Sequence, residues 1–150
     1  MIHSVRLEQV PEQLIAAARQ RTTFKMISKE IQPLLSLPWA FLRARAGFRP
    51  DGRNVAIYWD AAGGGSIEVG VEVTSRFEET DAVVCSATPA GTVAATTHFG
   101  PYDQLGAAHH AVREWCRQNG RKIAMPYWEI YGHWDDDPAK VRTDVLYLVK

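Results

Sequence analysis

The stretches NVAIYWD at 54–60 and YWEIYGHW at 127–134 share the dipeptide Ile-Tyr, Ile57-Tyr58 against Ile130-Tyr131, at a separation of 73 residues. No other feature of the chain limits its fold as strongly, because self-similarity at a fixed spacing means one structural unit used twice. Gly47 and Gly120 keep the same separation, and each stands where a helix should end, after AFLRARA and after VREWCRQN. Upstream, Thr22-Thr23-Phe24 resembles Thr96-Thr97-His98-Phe99, and Pro11 and Pro89 each precede an Ala-rich extended run. The chain therefore divides into repeat 1, about residues 1–80, and repeat 2, about 81–150, each reading strand, helix, strand, strand.

The second half shows the unit more clearly. Residues 92–99 alternate as a strand, Gly100 breaks it, and Pro101 opens a helix at its favoured first position. Leu105, Ala108, Val112 and Trp115 recur at helical spacing and give that helix one apolar face. The WEIY strand and a last strand over 141–149 follow. In the first half the equivalent helix covers 25–46, with Pro33 and Pro38 expected to kink or split it. A strand over 53–60 and the strand SIEVGVEV come next, the latter with Ile67, Val69, Val71 and Val73 inward and Glu68 and Glu72 on the solvent face. The fold class is α+β: one domain over 1–150, its duplicated units related by a pseudo-twofold axis, with an antiparallel sheet and a cleft near the axis.

Strand alternation puts Trp128, Ile130 and Trp134 on one face and Tyr127, Glu129, Tyr131 and His133 on the other, so Glu129 is flanked by two tyrosines. Its counterpart in the first repeat is Ala56, while that of Tyr131 is Tyr58. One carboxylate, not an opposed pair, then faces the cleft, which argues against two-carboxylate glycosidase chemistry. A carboxylate in an apolar site is costly unless a cation or a donor joins it, so an empty site should raise its pKa and a cationic ligand should lower it.

Composition removes several function classes. Lys plus Arg and Asp plus Glu each number 17, which gives no field to draw the chain onto nucleic acid or an anionic membrane, so direct nucleic-acid binding is not expected. No apolar run reaches the roughly 20 residues of a membrane span, and MIHSVRLEQV lacks a signal-peptide apolar segment; a cytoplasmic location is expected. Cys85 and Cys116, in segments that read as strand and helix and without ligand spacing, read as small buried hydrophobes. His98, His109, His110 and His133 make no zinc pattern, and the adjacent pair His109 and His110 points to different helix faces; neither a metal nor a cofactor is expected.

The run PAGTVAATTHFGPYDQLGAAHHAVREWCRQNG, followed by WEIYGHW and VRTDVLYLVK, resembles the GyrI-like small-molecule-binding family, which includes effector-binding domains of AraC-type and MerR-type multidrug regulators. The marks that carry it are Gly100-Pro101-Tyr102, Glu129-x-Tyr131 and Thr143. The resemblance implies two long helices flanking a groove floored by the joined sheets, with Glu129 as the buried glutamate of an aromatic pocket for lipophilic, often cationic ligands. Tyr131, Tyr127 and Tyr58 are the leading pocket residues, joined by Tyr102, Tyr147 and, from a groove-facing helix, Trp39. Met125 departs from the family, where a glycine is common before Pro126-Tyr127, and is expected to alter the entrance.

Three functions follow from the resemblance. The first is a stand-alone small-molecule-binding protein for sensing, sequestration or detoxification, since the repeats use nearly all 150 residues and leave no room for a helix-turn-helix. The second is a hydrolase of strained electrophilic, cyclopropane-containing compounds, with Glu129 and Tyr131 as its catalytic residues. The third is action on a macromolecular partner such as DNA gyrase or a separate regulator.

Overall fold

The computed structural model describes residues 3–22, 24–45, 52–59, 65–133 and 135–150. Both repeats appear in the expected order. The first supplies β2 (Gln13–Thr22), α1 (Phe24–Arg43), β3 (Asn54–Tyr58) and β4 (Gly65–Glu72); the second supplies β6 (Gly91–Phe99), α2 (Leu105–Gln118), β7 (Ile123–Tyr131) and β8 (Arg142–Val149). Each unit is preceded by a further strand outside the strand-helix-strand-strand pattern, β1 (Arg6–Val10), which the reading of the sequence lacks, and β5 (Val84–Thr88), the strand segment that holds Cys85. Among the described residues eight strands form one antiparallel sheet in the order β1-β6-β8-β7-β3-β4-β2-β5.

That order is symmetric about the β3/β7 pair, where the two repeats join. Ala56 pairs with Glu129, and at a separation of 73 residues these two positions are also each other's repeat counterparts, so the pseudo-twofold axis passes through this pair. One ladder step outward lie Val69 and Val145, and the next step reaches Ala18 and Thr96. Thr96 thus stands at the position of Ala18, not Thr22, and the threonine resemblance seen in the sequence is out of register.

The edge strands are exchanged between halves: β1 pairs with β6 of the second repeat, and β5 with β2 of the first. This forces the sheet to curl. In a flat sheet β1 and β2 would lie six strand spacings apart, about 29 Å, whereas the chain from Val10 to Gln13 reaches at most about 11 Å. The two ends of the sheet must therefore come together, and the inner face of the curl is a core of its own, with Ile15, Val55, Ile57, Val93, Ala95 and Trp128 at most 1% exposed.

The outer face carries both helices. Leu105, Ala108, Val112 and Cys116 of α2 and Leu34 of α1 pack there against Ala56, Val69, Ala94 and Val145. Burial of each large aliphatic side chain contributes about 1.5–3 kcal/mol. α1 runs through Pro33 and Pro38 as one helix, so the expected split does not occur; its apolar stripe stays seated on the sheet through Leu34 and Leu42. α2 ends as expected: Gly120 has φ +65°, and the Arg121 N–H closes the last turn on Cys116 O at 2.8 Å. Gly47 and Trp134 lie outside the described residues.

Two expectations of exposure and burial need correction. Glu68 and Glu72 do point away from the helices, but that face is not solvent, and they are 0% and 3% exposed. Glu68 accepts from both Nε and Nη2 of Arg19, from Trp59 Nε1 and from Ser86 Oγ, while Glu72 is paired with Arg53. Cys116 is buried, as expected, but Cys85 on the edge strand β5 is half-buried; both are free thiols. Among the described residues no helix is long and apolar enough to cross a membrane.

Candidate functional site

Glu129 emerges on the outer face of β7, at the pseudo-twofold axis and under the helices, with 5% of its surface exposed. The repeat explains its surroundings. Tyr58 and Tyr131 each stand two residues beyond the axial position of their own strand, so the symmetry aims both rings back at the axis. Both hydroxyls donate to Glu129 Oε1, at 3.0 Å from Tyr58 and 2.6 Å from Tyr131. A duplicated tyrosine pair thus serves a single carboxylate.

The other carboxylate oxygen is met from α2. His109 Nε2 lies 2.7 Å from Oε2, and its Nδ1 lies 2.7 Å from the Tyr147 hydroxyl on β8, whose oxygen accepts from Arg113 Nη1 at 3.1 Å. Tyr127 fills the centre: its ring stacks between those of Tyr58 and Tyr147 at centroid distances of 4.8 and 4.7 Å, and His109 meets it edge-on.

Burial pushes the Glu129 carboxyl up, but the hydrogen bonds it accepts from His109, Tyr131 and Tyr58 outweigh it and hold the group below the ordinary carboxylate value. The expected rise in the empty site is therefore reversed, because three donors stand where no ligand is. Tyr58 and Tyr131 are pushed upward, first by burial and then by the charge of Glu129, so they remain hydroxyl donors at any physiological pH. Burial likewise raises Tyr147, and Arg113 offsets part of that.

Of the residues expected to bind ligand, Glu129, Tyr131, Tyr127, Tyr58 and Tyr147 converge in this cluster, Tyr147 through His109. Tyr102 packs edge-on against Tyr131 and is 45% exposed, which makes it the outer rim. Trp39 does not join the group around the carboxylate. Its Nε1 donates to Asn54 Oδ1 at 2.8 Å, and Asn54 is the ladder partner of Tyr131. An open pocket of about 350 Å³ lies against Trp39, lined also by Leu35, Ser36 and Arg43. Met125 is exposed where β7 is bulged against β8. The Thr143 hydroxyl, one ladder step from Tyr131, is buried and has no hydrogen-bond partner among the described residues.

Sequence reasoning missed His109 and Arg113, weighing the first only as half of a metal pair. A signal was there: His109 follows Leu105 by four residues and precedes Val112 by three, on the buried stripe of α2. Among the described residues no cluster of His, Cys, Asp and Glu has the makings of a metal site.

The sequence matches the GyrI-like small molecule binding domain family over residues 3–150. The chain belongs to this family. The GyrI-like fold is repeated in solved structures of low sequence identity. The C-terminal domain of EcmrR is 21% identical with a TM-score of 0.81, the match covering 100% of this chain and 99% of that one. SAV2435, solved bound to tetraphenylphosphonium, is 13% identical with a TM-score of 0.73, covering 98% and 94%. A hydrolase from Listeria innocua is 13% identical with a TM-score of 0.61, covering 97% and 91%. Among curated protein sequences none matches the chain.

Proposed function

We propose that this GyrI-like chain is a receptor for lipophilic cations, with Glu129 as the anionic contact and Tyr58, Tyr127, Tyr131 and Tyr147 as its aromatic walls. The observation that carries this reading is a single buried carboxylate on the pseudo-twofold axis, held by hydroxyl and ring N–H donors among three stacked tyrosine rings. An organic cation over such rings gains about 0.5–2 kcal/mol per good contact. Since Glu129 is nearly sealed, the ligand enters by displacing rings from the Tyr102 and Tyr131 side, and the pocket at Trp39 accommodates a second apolar group. We place the protein in the cytoplasm, in keeping with its two unpaired thiols.

The hydrolase reading needs a base with a lone pair open to the substrate. Both ring nitrogens of His109 are engaged and Glu129 Oε1 already accepts two hydroxyls, an arrangement better suited to holding a charge than to activating water. A role as modulator of DNA gyrase or another macromolecule has no observation behind it.

Calorimetric titration with tetraphenylphosphonium tests the proposal. Glu129→Gln should weaken binding at least about tenfold, roughly 1.4 kcal/mol, while keeping the fold, and the exposed Glu78→Gln should behave as wild type. Equal affinities for all three proteins would overturn the assignment of Glu129. Turnover of a strained electrophile by wild type and not by Glu129→Gln would favour the hydrolase.

A further inference from the structure

We propose that Arg113 and Tyr147 are positioning residues that fix His109 as a neutral Nε2–H donor, so that the charge of Glu129 is left for a ligand. The proposal rests on the cation-receptor reading for its consequence, but the relay itself is read from hydrogen-bond directions. An ionised carboxylate only accepts, so the bond between His109 Nε2 and Glu129 Oε2 requires the proton on Nε2. Arg113 only donates, so the Tyr147 oxygen is the acceptor in that bond.

The hydroxyl proton of Tyr147 then needs an acceptor of its own, and the group within reach is His109 Nδ1. Were Nδ1 protonated, two donors would converge on the Tyr147 oxygen. The hydroxyl proton would be left without a partner in a residue only 2% exposed. One assignment satisfies every group: Arg113 donates to Tyr147, Tyr147 to His109, and His109 to Glu129.

The titratable and charged groups set against the ring are Glu129 and Tyr127 on β7, Tyr147 on β8, and Arg113 beyond Tyr147 on α2 itself; Tyr58 and Tyr131 reach the same carboxylate from the other side. None of the tyrosines gives up its proton to the ring or becomes a second anion beside it, since burial pushes them up. An imidazolium at this position would neutralise Glu129 from within and leave a site for uncharged molecules. A neutral imidazole gives Glu129 one hydrogen bond and leaves its charge unmatched. The relay is thus a selectivity device for the charge of the ligand.

The test reads the ring directly, in the full chain without ligand. Nitrogen NMR of ¹⁵N-histidine protein near neutral pH, with the His109 signals identified by their loss in His109→Gln, should show Nε2 protonated and Nδ1 bare. In Tyr147→Phe, which removes only the hydroxyl, and in Arg113→Met, the ring should move to a mixture of tautomers and toward the imidazolium. Tetraphenylphosphonium affinity should follow. It should stay level in wild type between about pH 8 and about pH 6, and fall about fivefold or more over that range in Tyr147→Phe. A doubly protonated or Nδ1–H ring in wild type, or a ring unchanged by Tyr147→Phe, overturns the relay. A wild-type ring in the expected state that binds no cation leaves the relay standing and sinks the receptor reading instead.

Discussion

Glu129 and Glu68 are both carboxylates in alternating strands, and alternation assigned their faces correctly, yet it misjudged what lay on one of them. The aromatic neighbours of Glu129 were legible because the Ile-Tyr repeat marks a symmetry axis. The burial of Glu68 was not, since its partners Arg19, Trp59 and Ser86 are brought to it by the curl of the sheet. At this scale the lowered folded-state value of Glu129 carries a prediction. Unfolded, the carboxyl titrates near the ordinary value of about 4.3, so it contributes stability above that pH and loses it as pH falls through the lower folded-state value. Thermal unfolding from about pH 6 down to about pH 3 should therefore show wild type losing its melting-temperature difference from Glu129→Gln at the acid end. A constant difference would mean that Glu129 is no stabilising anion in the folded chain.

The elements themselves were mostly readable from periodicity and breakers: α2 from its stripe and its glycine, β4 and β7 from alternation. β1 was missed because five residues such as RLEQV carry too little pattern to stand out, and the strand around Cys85, VCSAT, was too short to be given a place in the repeat. His109 was missed because its place on the apolar stripe of α2 marks it as inward-facing but does not say which strand residue it meets. Glycines offer the sharpest tests here. A Cβ at Gly106 in α2 would meet nothing within 4 Å, so Gly106→Ala should raise stability by about 0.4–1 kcal/mol in urea melts. At Gly70 the same atom would sit 2.2 Å from Ala16 O, a backbone contact between β4 and β2. Gly70→Ala should cost at least the upper end of the roughly 1–3 kcal/mol of an overpacked core. The reverse order of these two variants in denaturant would contradict the β2/β4 packing described.

For the whole molecule, the consequence of duplication is that neither repeat is complete without the other. The repeats were legible as segments, but the exchange of β1 and β5 between them was not, because strand partners at long range leave no local trace in the residues that make them. His3 extends the exchange: its ring stacks on His98 of β6 at 5.3 Å, and its Nε2 lies 3.0 Å from His98 Nδ1. We propose that 1–150 folds as one cooperative domain. A fragment of about residues 1–80 retains β2, β4 and β3 as neighbours but loses β5 from one edge and β7 from the other, along with the inner-face contacts of Trp128 and Leu146. Three strands with two bare edges and half an inner core should not hold a fold, and open edges invite association. The fragment alone should lack dispersed amide proton signals. Mixed with about residues 81–150 it should recover them, because β1 then finds β6, β5 finds β2, and β3 meets β7 at Ala56 and Glu129. Native-like dispersion of either fragment by itself would show that the repeats are independent domains, and that the axis on which Glu129 stands is an interface between them and not the centre of a single core.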